Sequence, residues 1–262
     1  MMEEHPGLKN LLRRGLVILA GVVLITLVLG MGALLSSRFR DALQLQGQVF
    51  VNNRGPLWSQ LKEHLQMVFS AIGLAVVVGV SGGILLTRLR KLAGPVLGAA
   101  SIIQTIPSLA LVALMLPIFG VGMRPMIAAL FLYALLPMLR NTYTAIDEVD
   151  PAVIEVGRGM GMTNWQILWR VEVPLCVPVV MAGIRTSTVI GVGIATLGAF
   201  AASGGLGNTI WSGMQQAGAQ ATARIVAGVT VASALALCLD GIAALIQELL
   251  TPTGLKLESG GG

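Results

Sequence analysis

Residues able to do covalent or metal chemistry are thinly spread through this chain. Its two histidines, His5 and His64, have no carboxylate or cysteine at metal-ligand spacing. Cys176 and Cys238 sit in apolar runs, read as small packing residues, and say nothing about redox compartment. No G-x-x-x-x-G-K-[ST] phosphate loop occurs; the nearest glycine run, Gly204-Gly205-Leu206-Gly207, has no lysine after it. Asp147, Glu148 and Asp150 cluster, but in a polar interval where solvation is the default. No nucleophile–base pair lies in an apolar setting, so an intramembrane enzyme is poorly supported. What stands out is the stretch Glu155 to Pro174, EVGRGMGMTNWQILWRVEVP. It carries Glu155, Arg158, Arg170 and Glu172, is loosened by Gly157, Gly159 and Gly161, and lies between strongly apolar segments. A chain that is otherwise apolar and presents one ordered polar element is using it to touch something.

The rest of the chain sets the context for that element. Only 11% of its 262 residues are charged and 55% are hydrophobic, against about a quarter charged in an ordinary soluble domain. With several apolar runs near 20 residues, the composition predicts an all-α polytopic membrane protein. The net charge of +5 does not point to nucleic acid, because the basic residues stand in ones and twos at the ends of apolar runs, as topology signals do.

Six spans are expected, at about 14–36, 65–87, 95–119, 124–140, 175–200 and 221–247. The first run is long for a signal peptide and lacks a clear cleavage site, which favours a retained helix over a cleaved leader. Between the first two lies a polar interval, 37–64, with Asn52-Asn53-Arg54-Gly55-Pro56 as turn chemistry. The SGGG at 259–262 is left out of the fold. Lys9, Arg13, Arg14, Arg88, Arg90, Lys91, Arg140, Arg158, Arg170 and Lys256 fall on one side of this arrangement. Arg38, Arg40, Arg54, Lys62, Arg124 and Arg224 fall on the other. The larger set marks the cytoplasmic side, which places both termini and the 141–173 interval there.

Two features inside the spans are polar. Gln104, Thr105, Pro107 and Ser108 break the third span at its middle, where free backbone is tolerated only against protein or a water-lined cavity. Either a packed kink or a solute path accounts for this. Arg185 and Asp240 are the ionisable candidates within spans, read as snorkelling or as a mutual structural pair rather than as ion-coupling groups.

Local signals make 151–174 a bent pair of helices. Asp150 can cap a helix with Pro151 at its first position. Gly159 and Gly161 permit a bend, Thr163 or Asn164 can cap a second helix, and Pro174 is expected to end it. Trp165 and Trp169, four apart, share a face. Buried aromatics beside a charge suit a protein anchor, and an interfacial helix at headgroup depth is the alternative.

The spacing of this element resembles the Glu-Ala-Ala loop of permease subunits of binding-protein-dependent ABC importers. There a glutamate precedes two small residues, a glycine follows six positions on, and a proline nineteen on; here these are Glu155, Gly161 and Pro174, with Val156 and Gly157 for the alanines. QTIPSLAL at 104–111, ALLPMLRNTYTAI at 134–146 and AGIRTSTVIGVGIATLGAF at 182–200 resemble the osmoprotectant branch, which carries glycine betaine, carnitine and choline. ASGGLG at 202–207 resembles the external loop that holds a short gate helix. The resemblance covers about 57–250, leaving 1–56 as an appended helix and loop and 251–262 as a tail.

The resemblance implies a type I ABC importer permease, a transport subunit rather than an enzyme, with no cofactor of its own and ATP and magnesium on a partner. An ATPase pair would dock on Glu155, Val156, Gly157, Arg158, Gly161, Trp165, Trp169 and Pro174. A second permease chain, identical or related, would complete the pathway, and an extracytoplasmic solute-binding protein would feed it. Gln104, Pro107, Ser108, Tyr133 and Thr188 are expected along the path, and Gly204, Gly205 and Gly207 at the external gate. The expected location is the inner membrane of a prokaryote. Another small polar solute such as an amino acid is the alternative cargo, and a channel or structural membrane protein is the alternative class.

Overall fold

The computed structural model describes residues 37–251; the expected first span at 14–36 and the tail beyond 251 lie outside the described residues. In chain order the elements are α1 (Ser37–Asn52), α2 (Arg54–Arg88), α3 (Arg90–Thr105), α4 (Ser108–Phe119), α5 (Met123–Asp147) and α6 (Pro151–Gly159). They continue with α7 (Asn164–Ile167), a π-helical turn (Leu168–Glu172), α8 (Val173–Ala195), a 3₁₀ turn (Thr196–Ala201), α9 (Gly207–Met214) and α10 (Ala219–Leu250). No strand occurs among the described residues.

Among the described residues, four continuous helical stretches are long and apolar enough to cross a membrane: 54–88, 123–147, 164–201 and 219–250. The pair α3 and α4 qualifies as a fifth only as a broken span, bent by 102°. The break falls at Ile106 and Pro107, whose extended backbone (ψ 127° and 135°) stops one helix and starts the next. Its exposed acceptor is satisfied, because the Tyr133 hydroxyl donates to the Ile106 carbonyl and Gln104 Nε2 donates to the Tyr133 carbonyl at 3.0 Å.

The core is built where α2, α5 and α8 cross. Met67, Val68, Ala71, Met126, Leu130, Met138, Val192 and Ala195 are all buried there. Small residues set the approach. A Cβ on Gly79 would lie 2.7 Å from Met138 Cβ, one on Gly83 2.6 Å from Thr142 Cβ, and one on Gly183 2.9 Å from the Asn141 amide. Close backbone contact of this kind replaces the hydrophobic drive that lipid cannot supply.

The 37–64 interval is not a loop. It forms α1 and the first turns of α2, and the expected turn shrinks to Asn53. Pro56 falls in the first turn of α2, where its missing N–H costs nothing. Ala42 and Val49 of α1 bury against Ala223 and Ala227 of α10, with Gln46 Nε2 donating to Thr230 Oγ1 at 3.2 Å. The fourth span also runs past its expected end at Arg140 to Asp147. Asp147 is not simply solvated, since it pairs with Arg90 at 2.9 Å.

Gly83→Val is expected to lower the thermal midpoint of the detergent-solubilised protein by several degrees, an overpacking cost of about 1–3 kcal/mol. Gly73→Ala, with open space around it in a helix interior, should hold that midpoint or raise it by up to a few degrees.

Candidate functional site: a bent helical element and the loop at the opposite end

The element flagged in the sequence folds as a helix, a tight turn and a second helix. Asp150 Oδ1 accepts from the Ala152 N–H at 2.8 Å, and Pro151 opens α6. The turn is closed by the Met160 N–H to Val156, the Gly161 N–H to Arg158 and the Met162 N–H to Gly157, at 2.9–3.1 Å. Gly161 takes φ +78°, a left-handed position that a side chain resists. Thr163 and Gln166 then form a reciprocal capping box that starts α7. Gly157 is buried because a Cβ there would already stand 3.3 Å from Ile167, so its small size seats the first arm on the second.

Pro174 does not end the element. The chain passes through the π turn at Leu168–Glu172, where the Val173 N–H reaches back to the Leu168 carbonyl, and runs on as α8. The wider turn accommodates a proline near the start of α8 without breaking the helix. The second arm of the bent element and the α8 span are therefore one continuous rod, 164–201. Trp165 and Trp169 meet edge to face at 5.5 Å and stay exposed. Val153, Val156 and Met160 of α6 are exposed as well, Val156 at 62%. Glu155 and Arg158 are exposed too. Sequence reasoning passed over Val153 and Met160, although Val153, Val156 and Met160 follow helical i, i+3, i+7 spacing.

Beneath this surface lies a polar cavity of about 210 Å³ lined by Arg88, Arg90, Asp147, Arg158 and Glu172 among others. Glu172 is almost fully buried and accepts from Arg88 Nη2 at 2.6 Å. This pair ties the rod to the end of α2, and neither partner was singled out for it from sequence.

At the other end of the bundle, Gly204 and Gly205 both take φ +82° and lead into α9. The Gly205 N–H donates to Glu63 Oε2 at 2.8 Å, and Thr209 pairs with Gln60 Oε1 at 2.5 Å. His64 is fully buried; its Nε2 donates to the Val192 carbonyl at 3.2 Å, and its Nδ1 has no partner among the described residues. A Cβ on Gly204 would collide with Glu63 Oε2 at 2.2 Å, and one on Gly207 with the Thr196 carbonyl at 1.9 Å. Gln60, Glu63, His64 and Met67 share one face of α2, a helical spacing that the reading of 37–64 as a loop concealed.

The residues expected along a path are not gathered into one cavity. Gln104 and Tyr133 brace the α3–α4 break, Pro107 is exposed and Ser108 half-buried. Thr188 is buried with its hydroxyl donating to Ile184 of its own helix, whereas Thr186 is exposed. Arg185 and Asp240 do form a pair, at 2.8 Å. Cys176 is buried and Cys238 exposed, both as free thiols.

Residues 71–252 match the family described as binding-protein-dependent transport system inner membrane component. The chain belongs to that family. This permease is 42% identical over 211 residues to the osmoprotectant import permease protein OsmW of Salmonella typhimurium, covering 79% of this chain and 97% of that one. It is 43% identical over 204 residues to the glycine betaine/carnitine/choline transport system permease protein OpuCB of Bacillus subtilis, covering 78% and 93%. Among solved structures, the MetNI methionine ABC transporter in an inward-facing conformation superposes with a TM-score of 0.67 at 23% identity, covering 75% of this chain and 97% of that one. That likeness establishes the type I importer permease fold. The permease is a multi-pass membrane transport subunit, and ATP hydrolysis in such importers belongs to separate subunits.

Gly207→Ala should unseat α9. The expected readout is proteolytic cleavage within 201–218 faster by on the order of tenfold in detergent, and an unchanged rate would mean the helix is held elsewhere.

Proposed function

We propose that this permease moves a small quaternary-ammonium osmolyte, of the class named for its relatives, across the cytoplasmic membrane. The observation that carries its coupling is the set of exposed apolar residues Val153, Val156 and Met160 on the first arm and Trp165 and Trp169 on the second, with Glu155 exposed on the first, the second arm being continuous with α8. Monomeric soluble surfaces seldom gather such residues unless something covers them. An ATPase subunit that binds ATP and magnesium is the occupant, one per permease chain, with a second permease chain completing the pathway. The bundle end rich in Arg88, Arg90, Lys91, Arg158 and Arg170 faces the cytoplasm, and both termini lie on that side. The opposite end, where Glu63 accepts from the Gly205 N–H and Gly207 packs on the Thr196 backbone, receives solute from an extracytoplasmic binding protein.

The mechanism follows from rigidity. Closure of the ATPase pair on ATP draws the two docked elements together. Each element is braced to α2 through Arg88 and Glu172, so the displacement enters α2 and α8 rather than dissipating in a loop. The break at Ile106–Pro107, with Gln104, Ser108 and Tyr133 around it, lines the path that opens. Solute choice rests mainly on the binding protein, since this chain has few aromatic residues with which to cage a quaternary ammonium.

Two outcomes test this reading. Glu155→Lys, or Trp165→Ala with Trp169→Ala, should weaken co-purification with the ATPase by about 30-fold or more, as loss of an interface hot spot of about 2 kcal/mol implies. Undiminished association would remove the element from the interface. Reconstituted with its partners, the complex should hydrolyse ATP faster when given glycine betaine or choline than when given amino acids, and the reverse order would reassign the cargo.

A further inference from the structure

Arg185 and Asp240 lie deep within their spans. Arg185 is roughly 15 Å or more from either end of α8, and Asp240 about 15 Å from the end of α10, at 1.5 Å per residue. Their contact is bidentate: Arg185 Nε and Nη2 donate to the two Asp240 carboxylate oxygens, each at 2.8 Å. Arg185 Nη1 also donates to Gln247 Oε1 at 3.2 Å, and Gln247 Nε2 donates to the Pro178 carbonyl at 3.3 Å. The guanidinium is thus held in one orientation by three oxygens from two residues of α10, one of which, Gln247, is itself tied back to α8.

The pair is not sealed. About a third of each side chain is exposed, and both border an open cleft of about 370 Å³ whose other walls are Ala182, Thr186, Val189 and Ile190. Charges at this depth do not face hydrocarbon; they face protein or a water-filled cavity. The exposed Thr186 hydroxyl suits water as well.

We propose that this cleft is part of the aqueous route and that Asp240 sets its charge selectivity. By cancelling Arg185, it lets a cationic quaternary amine pass as readily as a zwitterionic one. This rests on the osmolyte reading above. An unpaired guanidinium on the wall would repel a net cation such as choline with its full charge. Glycine betaine carries no net charge and would feel only the difference between its two ends. At about 8 Å and an intermediate dielectric, the repulsion amounts to on the order of tenfold or more in the rate of passage. Arg185 and Gln247 then act as positioning residues that join α8 to α10, and Asp240 determines specificity.

The test compares choline and glycine betaine uptake on the same proteoliposomes, containing the full complex with its ATPase and solute-binding protein. Asp240→Asn is expected to lower the choline-to-betaine uptake ratio by about tenfold or more. Poor assembly lowers both uptakes alike and leaves the ratio unmoved. In Arg185→Gln with Asp240→Asn, where neither charge remains, the ratio should return to within about twofold of wild type. A ratio unchanged in Asp240→Asn overturns the proposal while leaving the osmolyte reading intact. So does a ratio that stays low in the double variant, since Asp240 would then act on the solute directly. Wild-type uptake of neither solute overturns the osmolyte reading, and this inference with it.

Discussion

The contact between Arg88 and Glu172 is the constraint on which the rest of the molecule depends. A carboxylate buried at the mouth of a membrane bundle is costly unless it is paired, and here its partner closes to 2.6 Å. Arg88 remains half exposed, so breaking the pair costs about 2 kcal/mol, less than a fully buried pair would. That energy fixes the position of a nine-residue helix and a tryptophan pair relative to a 35-residue span. Arg90 and Asp147 repeat the arrangement on the neighbouring corner, joining α3 to the end of α5. Both pairs border the polar cavity beneath the exposed apolar face. Arg90 is three-quarters exposed, so most of the bracing beneath that face falls to Arg88 and Glu172.

Stiffness also comes from continuity. The π turn before Pro174 lets the second arm run straight into α8, so the tryptophan pair and that span share one backbone. At the opposite end the chain is folded tightly by small residues. Gly204, Gly205 and Gly207 have no room for a Cβ against Glu63, Met67 and the Thr196 backbone. One end of the bundle thus offers a large exposed contact face, and the other a compact loop clipped to α2 by Gln60 and Glu63.

Much of the docking element was legible because its determinants are local. Asp150 with Pro151, Thr163 with Gln166, and the four-residue spacing of Trp165 and Trp169 each act within one or two turns of helix. The intramembrane pair of Arg185 and Asp240 was also within reach, since an isolated charge in an apolar run demands a partner. What escaped was set by distant sequence. Arg88 and Glu172 stand 84 residues apart, and Glu63 and Gly205 142 apart. The α1 helix was hidden by polar composition and by Asn52-Asn53-Arg54-Gly55-Pro56, which promise a longer turn than the single residue Asn53 provides. Pro174 misled because the rule that proline ends a helix assumes α geometry on both sides of it.

The most direct test of force transmission through the Arg88–Glu172 contact is the number of solute molecules moved per ATP hydrolysed in proteoliposomes carrying Glu172→Gln. The account predicts that the ATPase still docks and hydrolyses ATP while solute uptake per ATP falls several-fold, because the docking surface persists and its brace is weakened. An uptake-to-hydrolysis ratio equal to that of the wild type would contradict it, and would place the coupling on contacts other than this ion pair.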